Sequence, residues 1–522
     1  MKLLVSFLPI ILPFIFLVLL KLPAKKGMFF SFLIVLATSF LVWDMEFIVI
    51  SASILQGAHK AFGILIILFG AIMMMNILKM NGAIDRINLG FGNLTKDMRI
   101  QTVIIAFLFG ALIEGVAGFG TPAVVVAPLL VALGFSPLSA ATVALISNSV
   151  PVPFAAVGTP IQVGLGNVGT TTEFFNSIAK YITSIDFLAG ALMPTIVVFV
   201  LITFFSENKS KKDYIEILPW TLFIGYSYAF IAFVIARTIG FEFVTIITSI
   251  TMLVIATISV KYKFLVPKTV WIKGKTIQDE EIKSEMSLVR AWAPYLIVIA
   301  LLVISRTIDS VQTFFKTAVN LSINDIFGVD GLSSSLLLLY SPGFIIIFVA
   351  TLSVFIQGAD VDNIKKSSVL SIKSVKGAAL SLIPTLAMVQ IFSNSGVNLS
   401  ELDSMPVYLA SFLGEYFNGV WIILASYVGE LGSFIAGSAT VSAITFSPVQ
   451  YQIATQYGLN VELILSLGLM GGAAGNMICV HNVVSVATVV NVEGQEGDII
   501  KKTIMPALLY ALLVGISALI LF

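Results

Sequence analysis

The sequence predicts an all-α polytopic membrane protein of about 12–14 transmembrane helices, with two inverted-topology repeats that contain broken helices. Three observations predict it. Hydrophobic residues fill 58% of the 522 positions and charged residues only 11%, against about 25% charged in an ordinary soluble domain. Uncharged apolar runs long enough to span a bilayer recur along the chain. Two further apolar stretches, 100–165 and 419–490, are interrupted by Gly, Pro, Ser, Thr and Asn and do not divide into simple spans.

Composition also excludes whole classes. With 29 Lys and Arg against 28 Asp and Glu, the net charge is +1, so no basic field points to nucleic acid. The single cysteine, Cys479, rules out a disulfide framework or a thiolate metal cage. No metal site and no cofactor are expected, and the whole of 1–522 reads as a single transmembrane unit.

The first apolar run, 3–20, lies between Lys2 and Lys21. It reads as a retained helix rather than a cleaved signal peptide, because it is long and 21–26 offers no small-x-small cleavage site. Further spans are expected at 28–43, 62–78, 183–205, 217–235, 240–260, 291–305, 343–357, 377–394 and 503–522. Lys and Arg accumulate in cytoplasmic loops, which tests this division independently. With the N-terminus outside the cell membrane, the loops at 21–27, 79–99, 206–216, 261–290 and 358–376 fall inside and carry the bases. The loops at 44–60, 306–342 and 396–418 fall outside, and Asp44, Glu46, Glu401, Asp403 and Glu415 lie there. On this reading His59 and Lys60 sit in an outer, solvated loop.

Residues 107–122 read Phe-Leu-Phe-Gly-Ala-Leu-Ile-Glu-Gly-Val-Ala-Gly-Phe-Gly-Thr-Pro. Glycines at 115, 118 and 120 followed by Pro122 break a helix. Gly158-Thr159-Pro160 repeats the device after Asn148, Pro151 and Pro153. The second region follows the same plan, with Gly429, Gly432, Gly437-Ser438-Ala439-Thr440, Pro448, Gly471-Gly472-Ala473-Ala474-Gly475-Asn476 and His481-Asn482. Irregular backbone survives at membrane depth only inside protein or beside a wet cavity. By the loop charges, the first region starts from inside and the second from outside. Such a pair points to an inverted-repeat secondary transporter whose site lies where half-helix ends meet. The approximate repeats are 60–205 and 377–522. Glycines that merely allow close helix contact account for Gly115 or Gly432, but poorly for Gly-Thr-Pro occurring twice.

The stretch from Gly110 through Glu114-Gly115, Gly118-Phe119-Gly120-Thr-Pro122, Leu133-Gly134-Phe135 and Asn148 to Gly158-Thr-Pro160 resembles the lactate permease family. Ser393-Asn394, Gly437-Ser438 and Gly-Asn-Met-Ile at 475–478 extend the resemblance over most of the chain. The resemblance implies proton-coupled uptake of lactate and related 2-hydroxy monocarboxylates such as glycolate. It also implies a place in a broader group of inverted-repeat ion transporters. The chain departs from better-known members at Ala439, where they carry Asp, and at Asn476 through His481-Asn482, where they carry Gly-Lys-Met-Ile-Ser-Pro-Gln from the preceding glycine. A carboxylate and an ammonium are therefore missing from the second broken region.

No Lys or Arg occurs between Arg99 and Lys180 or between Lys376 and Lys501. A bound carboxylate must then be met by half-helix N-termini, whose free N–H groups attract anions. The candidate substrate-binding residues are Gly118, Gly120, Thr121, Asn148 and Thr159 in the first half. In the second half they are Ser393, Asn394, Ser438, Thr440, Asn476 and Asn482. Glu114 is the sharpest single residue, because an intramembrane acid is costly unless protonated or paired, and it suits reversible protonation. Glu430 holds a comparable place, and His481 could relay a proton because imidazole titrates near neutrality. Each also has a purely structural reading, as a bonded or protonated group that stabilises the break.

Other patterns carry no chemistry. Gly164-Leu-Gly166-Asn-Val-Gly169 matches a dinucleotide fingerprint but lacks the strand and βαβ unit that give it meaning. No Walker A pattern and no metalloprotease motif occur. An intramembrane enzyme lacks a nucleophile or metal set, and a passive channel would show a pore-lining ring. Sodium coupling or cation antiport of another small organic ion remains the alternative to proton symport. A homo-oligomeric assembly is compatible with the sequence.

Overall fold

The computed structural model describes residues 2–20, 22–118, 120–166, 168–207, 210–272 and 286–522. Phe119 of the first break, Asn167, Lys209 and the middle of the 261–290 loop lie outside the described residues. Among the described residues, helices dominate, and two isolated antiparallel bridges join Asn320 with Leu337 and Ile323 with Ser334.

The chain opens with α1 (Lys2–Pro13), prolonged by a π-helical turn over Phe14–Leu19, then α2 (Ala24–Leu41), α3 (Phe47–Met80) and α4 (Ala83–Leu94). The first broken region comprises α5 (Met98–Gln101), a π-helical stretch at Thr102–Phe109, α6 (Gly110–Ala117), α7 (Thr121–Ala132), α8 (Pro137–Ser147) and α9 (Ala155–Gln162). After it come α10 (Thr172–Ile185), α11 (Met193–Phe205), α12 (Lys211–Thr238), α13 (Val244–Lys261), α14 (Leu288–Thr307), α15 (Asp309–Thr317) and α16 (Pro342–Gln357). The long α17 (Asp362–Ser393) and α18 (Met405–Phe417) lead to the second broken region, α19 (Trp421–Ala436), α20 (Ala439–Gln456), α21 (Val461–Asn476) and α22 (Val480–Val489). The last helix is α23 (Glu496–Leu521).

Among the described residues, eight helices are long and apolar enough to cross a membrane, and two helix pairs bent by 67° and 48° add broken spans. Four shorter apolar helices accompany them, in agreement with the all-α, polytopic membrane fold the sequence predicts. The chain is a multi-pass membrane protein.

Two boundaries differ from the hydropathy reading. Residues 47–60 are not an outer loop: they are the first turns of the 34-residue α3. His59 and Lys60 are therefore helical and half-buried rather than solvated. The expected inner loop at 358–376 is mostly the start of α17. In both places polar and charged residues are mixed into the first turns of the helix, and a linear hydropathy window reads such a stretch as loop.

Between lipid-embedded helices the hydrophobic effect offers little, and close backbone contact takes its place. A Cβ on Gly57 of α3 would stand 2.5 Å from the backbone of Ala387 in α17. One on Gly343 of α16 would stand 2.6 Å from the backbone of Ile67. The contact of α19 with α21 works the same way, through Gly429 against the Gly468 carbonyl and Gly471 against that of Ser426. Large exposed side chains such as Phe29, Phe30, Phe230, Val254 and Ile520 lie on α2, α12, α13 and α23, a surface suited to lipid. The span Met98–Gly115 is buried throughout and Val461–Val489 almost throughout. The broken elements thus sit at the centre, shielded from lipid as unpaired backbone requires.

Candidate functional site

The first break forms where α6 stops at Gly118 and α7 starts after Gly120. Gly118 has φ 63° and Gly120 φ 74°, a left-handed geometry that costs glycine nothing. The Gly118 N–H donates to the Glu114 carbonyl at 3.0 Å, so Glu114 occupies the last turn before the break. Pro122 opens α7, where its missing N–H is no loss. After the turn at Gly134, Ser136 caps α8 by accepting from the Ser139 N–H. Asn148 ends α8, and the chain bends into α9 through Ala156, Val157 and Gly158, all with positive φ. A β-branched residue in that region is strained, and Val157 has φ 58°.

The second break repeats this order. Helix α19 stops at Gly437, with φ 69°, and Ser438 caps α20 by accepting from the Val441 N–H. A turn at Gly458 follows, then Asn460 caps α21. Helix α21 stops at Asn476 and α22 begins after Cys479. The Asn482 amide donates to the side chain and the carbonyl of Asn476, at 2.7 and 3.1 Å. His481 Nδ1 lies 3.3 Å from Cys479 Sγ.

One small internal cavity lies between the breaks. From the first half it is lined by Glu114, Gly118, Val152, Ala155, Ala156, Thr159 and Pro160. From the second half it takes Gly437, Ser438, Ala439, Thr440 and Asn476. The cavity volume is about 20 Å³, room for about one water. The first residues of α20 and Glu114 both line the cavity. Glu114 is 1% exposed, the Asn148 side chain is its hydrogen-bond neighbour, and its Oε2 has no partner. Thr121 Oγ1 and Asn148 Oδ1 are likewise buried without one.

The sequence-predicted residues thus divide. Glu114, Gly118, Thr159, Ser438, Thr440 and Asn476 line the cavity. Asn482 braces Asn476 and touches Gly120. Glu430 is buried on α19 with both carboxyl oxygens unpartnered, outside the cavity lining. Ser393 and Asn394 end α17 elsewhere, where the Asn394 amide donates to Ser53 and to Gln56 at 2.9 and 2.7 Å.

Two wider vestibules approach the centre. One, of about 280 Å³, is lined by His59, Lys60, Ile64, Ser335, Leu386, Gln390, Gly437, Ser438 and His481, among others. The other, of about 260 Å³, is lined by Lys25, Gly377, Ala378, Ser381, Val484, Thr488, Glu493 and Glu496, among others. Along α17 the first uses Leu386 and Gln390 and the second Gly377 to Ser381. Along α22 the first uses His481 and the second Val484 and Thr488. The vestibules therefore reach α22 from its two ends.

Sequence reasoning missed three polar residues. Lys60 and His59 were hidden by the misplaced loop, although the apolar spacing of 47–61 is compatible with a helix. Asp186, in the bend between α10 and α11, is 3% exposed and accepts from the Tyr510 hydroxyl at 3.3 Å. An acid inside the predicted span 183–205 was signal enough to find it.

Comparison with known proteins shows the family. The family model described as L-lactate permease matches residues 2–522. A Haemophilus influenzae protein described as "Putative L-lactate permease" is 31% identical, covering 94% of this chain and 92% of its own length. The glycolate permease GlcA of Escherichia coli is 26% identical, covering 99% and 95%. The L-lactate permease of Bacillus subtilis is 26% identical, covering 86% and 83%.

Proposed function

Because this chain belongs to the L-lactate permease family, and is thus a permease rather than an enzyme, we propose that it carries lactate or a related small 2-hydroxy monocarboxylate such as glycolate. Transport is by proton symport across the cell membrane, with the N-terminus outside. The relatives named L-lactate permease and glycolate permease support the substrate class.

The observation that carries the reading is the shared cavity, lined by both Glu114 and the first turn of α20. The N–H groups and positive end of α20 meet the substrate carboxylate. Thr159, Ser438, Thr440 and Asn476 hydrogen-bond its oxygens and its 2-hydroxyl. Glu114 holds the co-transported proton, so that the loaded cavity carries one anion and one proton. The matching order of the two broken regions supports an inverted repeat, with the vestibules serving in turn as outer and inner access.

Uptake of labelled lactate into reconstituted vesicles tests this. An inward proton gradient should drive accumulation, and no accumulation with either a proton or a sodium gradient would sink the lactate assignment. One observation favours a second reading, sodium coupling: Glu114 Oε2, Asn148 Oδ1 and Thr121 Oγ1 are all buried oxygens without donors, and hard cations take oxygen ligands. Accumulation driven by sodium at equal pH would select it.

A further inference from the structure

We propose that the vestibule holding Lys60 is a capture site for a small monocarboxylate, with the Lys60 ammonium as its ligand, occupied before the internal cavity. Lys60 projects from the middle of α3, half-buried, and donates to Gln390 Oε1 at 2.8 Å. No carboxylate lies within 4 Å of it among the described residues. An ammonium offers three donors, and Gln390 is the one partner recorded for it.

The surroundings favour an anion here. The walls beside Lys60 include Ile64, Ile67, Leu386 and Val441, and a cation between apolar walls focuses its field into the space they enclose. An unpaired charge in such a place is costly, and a bound carboxylate would relieve that cost. The mouth carries exposed Ser335, while the far end reaches Gly437 and Ser438, which also line the internal cavity. An anion leaving Lys60 therefore meets the N-terminus of α20 next. His59 does not compete for the ligand. Its ring nitrogens contact Ser334 Oγ at 2.8 Å and the Leu321 carbonyl at 3.0 Å, pinning the segment that bears Ser335.

The broken regions contain no Lys or Arg of their own, so Lys60 supplies the cation the sequence lacked there. The inference rests on the monocarboxylate reading above, and the test separates the two. In reconstituted protein of one orientation, Lys60→Gln should raise the external half-saturation concentration for lactate roughly 10- to 100-fold, the worth of a charge-assisted hydrogen bond. Lys60→Arg, which keeps the charge, should recover much of it. An unchanged half-saturation in Lys60→Gln overturns the capture site. If wild-type protein carries neither lactate nor glycolate, the transport reading fails first, and binding decides the capture site. A rise in the unfolding temperature of purified wild type with lactate, glycolate or acetate, lost in Lys60→Gln and kept in Lys60→Arg, supports it. A rise that Lys60→Gln keeps in full, or no rise with any of the three, overturns it. A lysine that only ties α3 to α17 through Gln390 would lower stability without either ligand effect.

Discussion

Gly120 lies against Asn482: a methyl group added to the glycine would stand 2.4 Å from the asparagine side-chain oxygen. The glycine belongs to the first break and the asparagine to the second, so the two broken elements touch with no room for a further atom. Gly120 also has φ 74°, which costs a residue with a side chain about 1–2 kcal/mol. Gly120→Ala should lower the unfolding midpoint in detergent and remove most uptake. Wild-type behaviour in both measurements would contradict the contact.

Glu114 faces the cavity with an oxygen that has no donor. Glu114→Gln keeps the shape and an Asn148-bonding oxygen but cannot release a proton. Gradient-driven accumulation of lactate should fall to the background of empty vesicles, while exchange of internal for external lactate persists. Accumulation at the wild-type level would remove Glu114 from coupling.

Arg99 is fully buried and pairs with Asp97 at 2.6 Å. It also donates to the carbonyls of Asp213 at 2.8 Å and Thr269 at 2.6 Å, joining the start of α5 to α12 and to the 269–271 segment. Removing one member of a buried pair costs about 3–5 kcal/mol. Arg99→Ala should therefore unfold at markedly lower denaturant, with Arg99→Lys between it and wild type because it loses the planar fork.

Ser335 and Glu493 are exposed residues of the two vestibules. Cysteines at these positions should react with an impermeant maleimide from opposite faces of intact cells, Ser335→Cys from outside and Glu493→Cys only after permeabilisation. Cys479 is buried and should stay silent. The reverse pattern would invert the proposed orientation, and labelling of both from one face would reject opposed vestibules.

Asp186 accepts from Tyr510 and lies close against Gly190, where α11 is about to begin. Asp186→Ala leaves that hydroxyl without its acceptor, at a cost of about 1–3 kcal/mol. A lowered unfolding midpoint should report it, and an unchanged midpoint would assign the acid no structural part.

The breaks were legible because Gly118, Gly120, Gly437 and Pro122 stand out in apolar runs and have a local meaning, a turn that ends a helix. Glu114 was legible for the same reason, as a lone acid among Phe, Leu, Ile and Val. Lys60 was not. Its role depends on Gln390, 330 positions away, and on Ser438 farther still, and hydropathy says nothing about which helix lies beside which. Its own neighbourhood misled as well, since Asp44, Glu46, His59 and Lys60 look like a loop until α3 is seen to run unbroken from Phe47. Asn394 was only partly legible. The sequence marked it as an amide able to hydrogen-bond a substrate, but could not show that its N–H groups bond Ser53 and Gln56 of α3.

Helix α22 has ten residues, about 15 Å of rise, and the two vestibules reach it from its opposite ends. In the proposed orientation these spaces communicate with the two sides of the membrane, so the membrane voltage falls across α22 and its neighbours rather than across the usual hydrocarbon thickness of about 30 Å. The local electric field is then raised, and an ion stepping past α22 performs nearly all of its electrical work, about 2.3 kcal/mol per charge at 100 mV, in that single step.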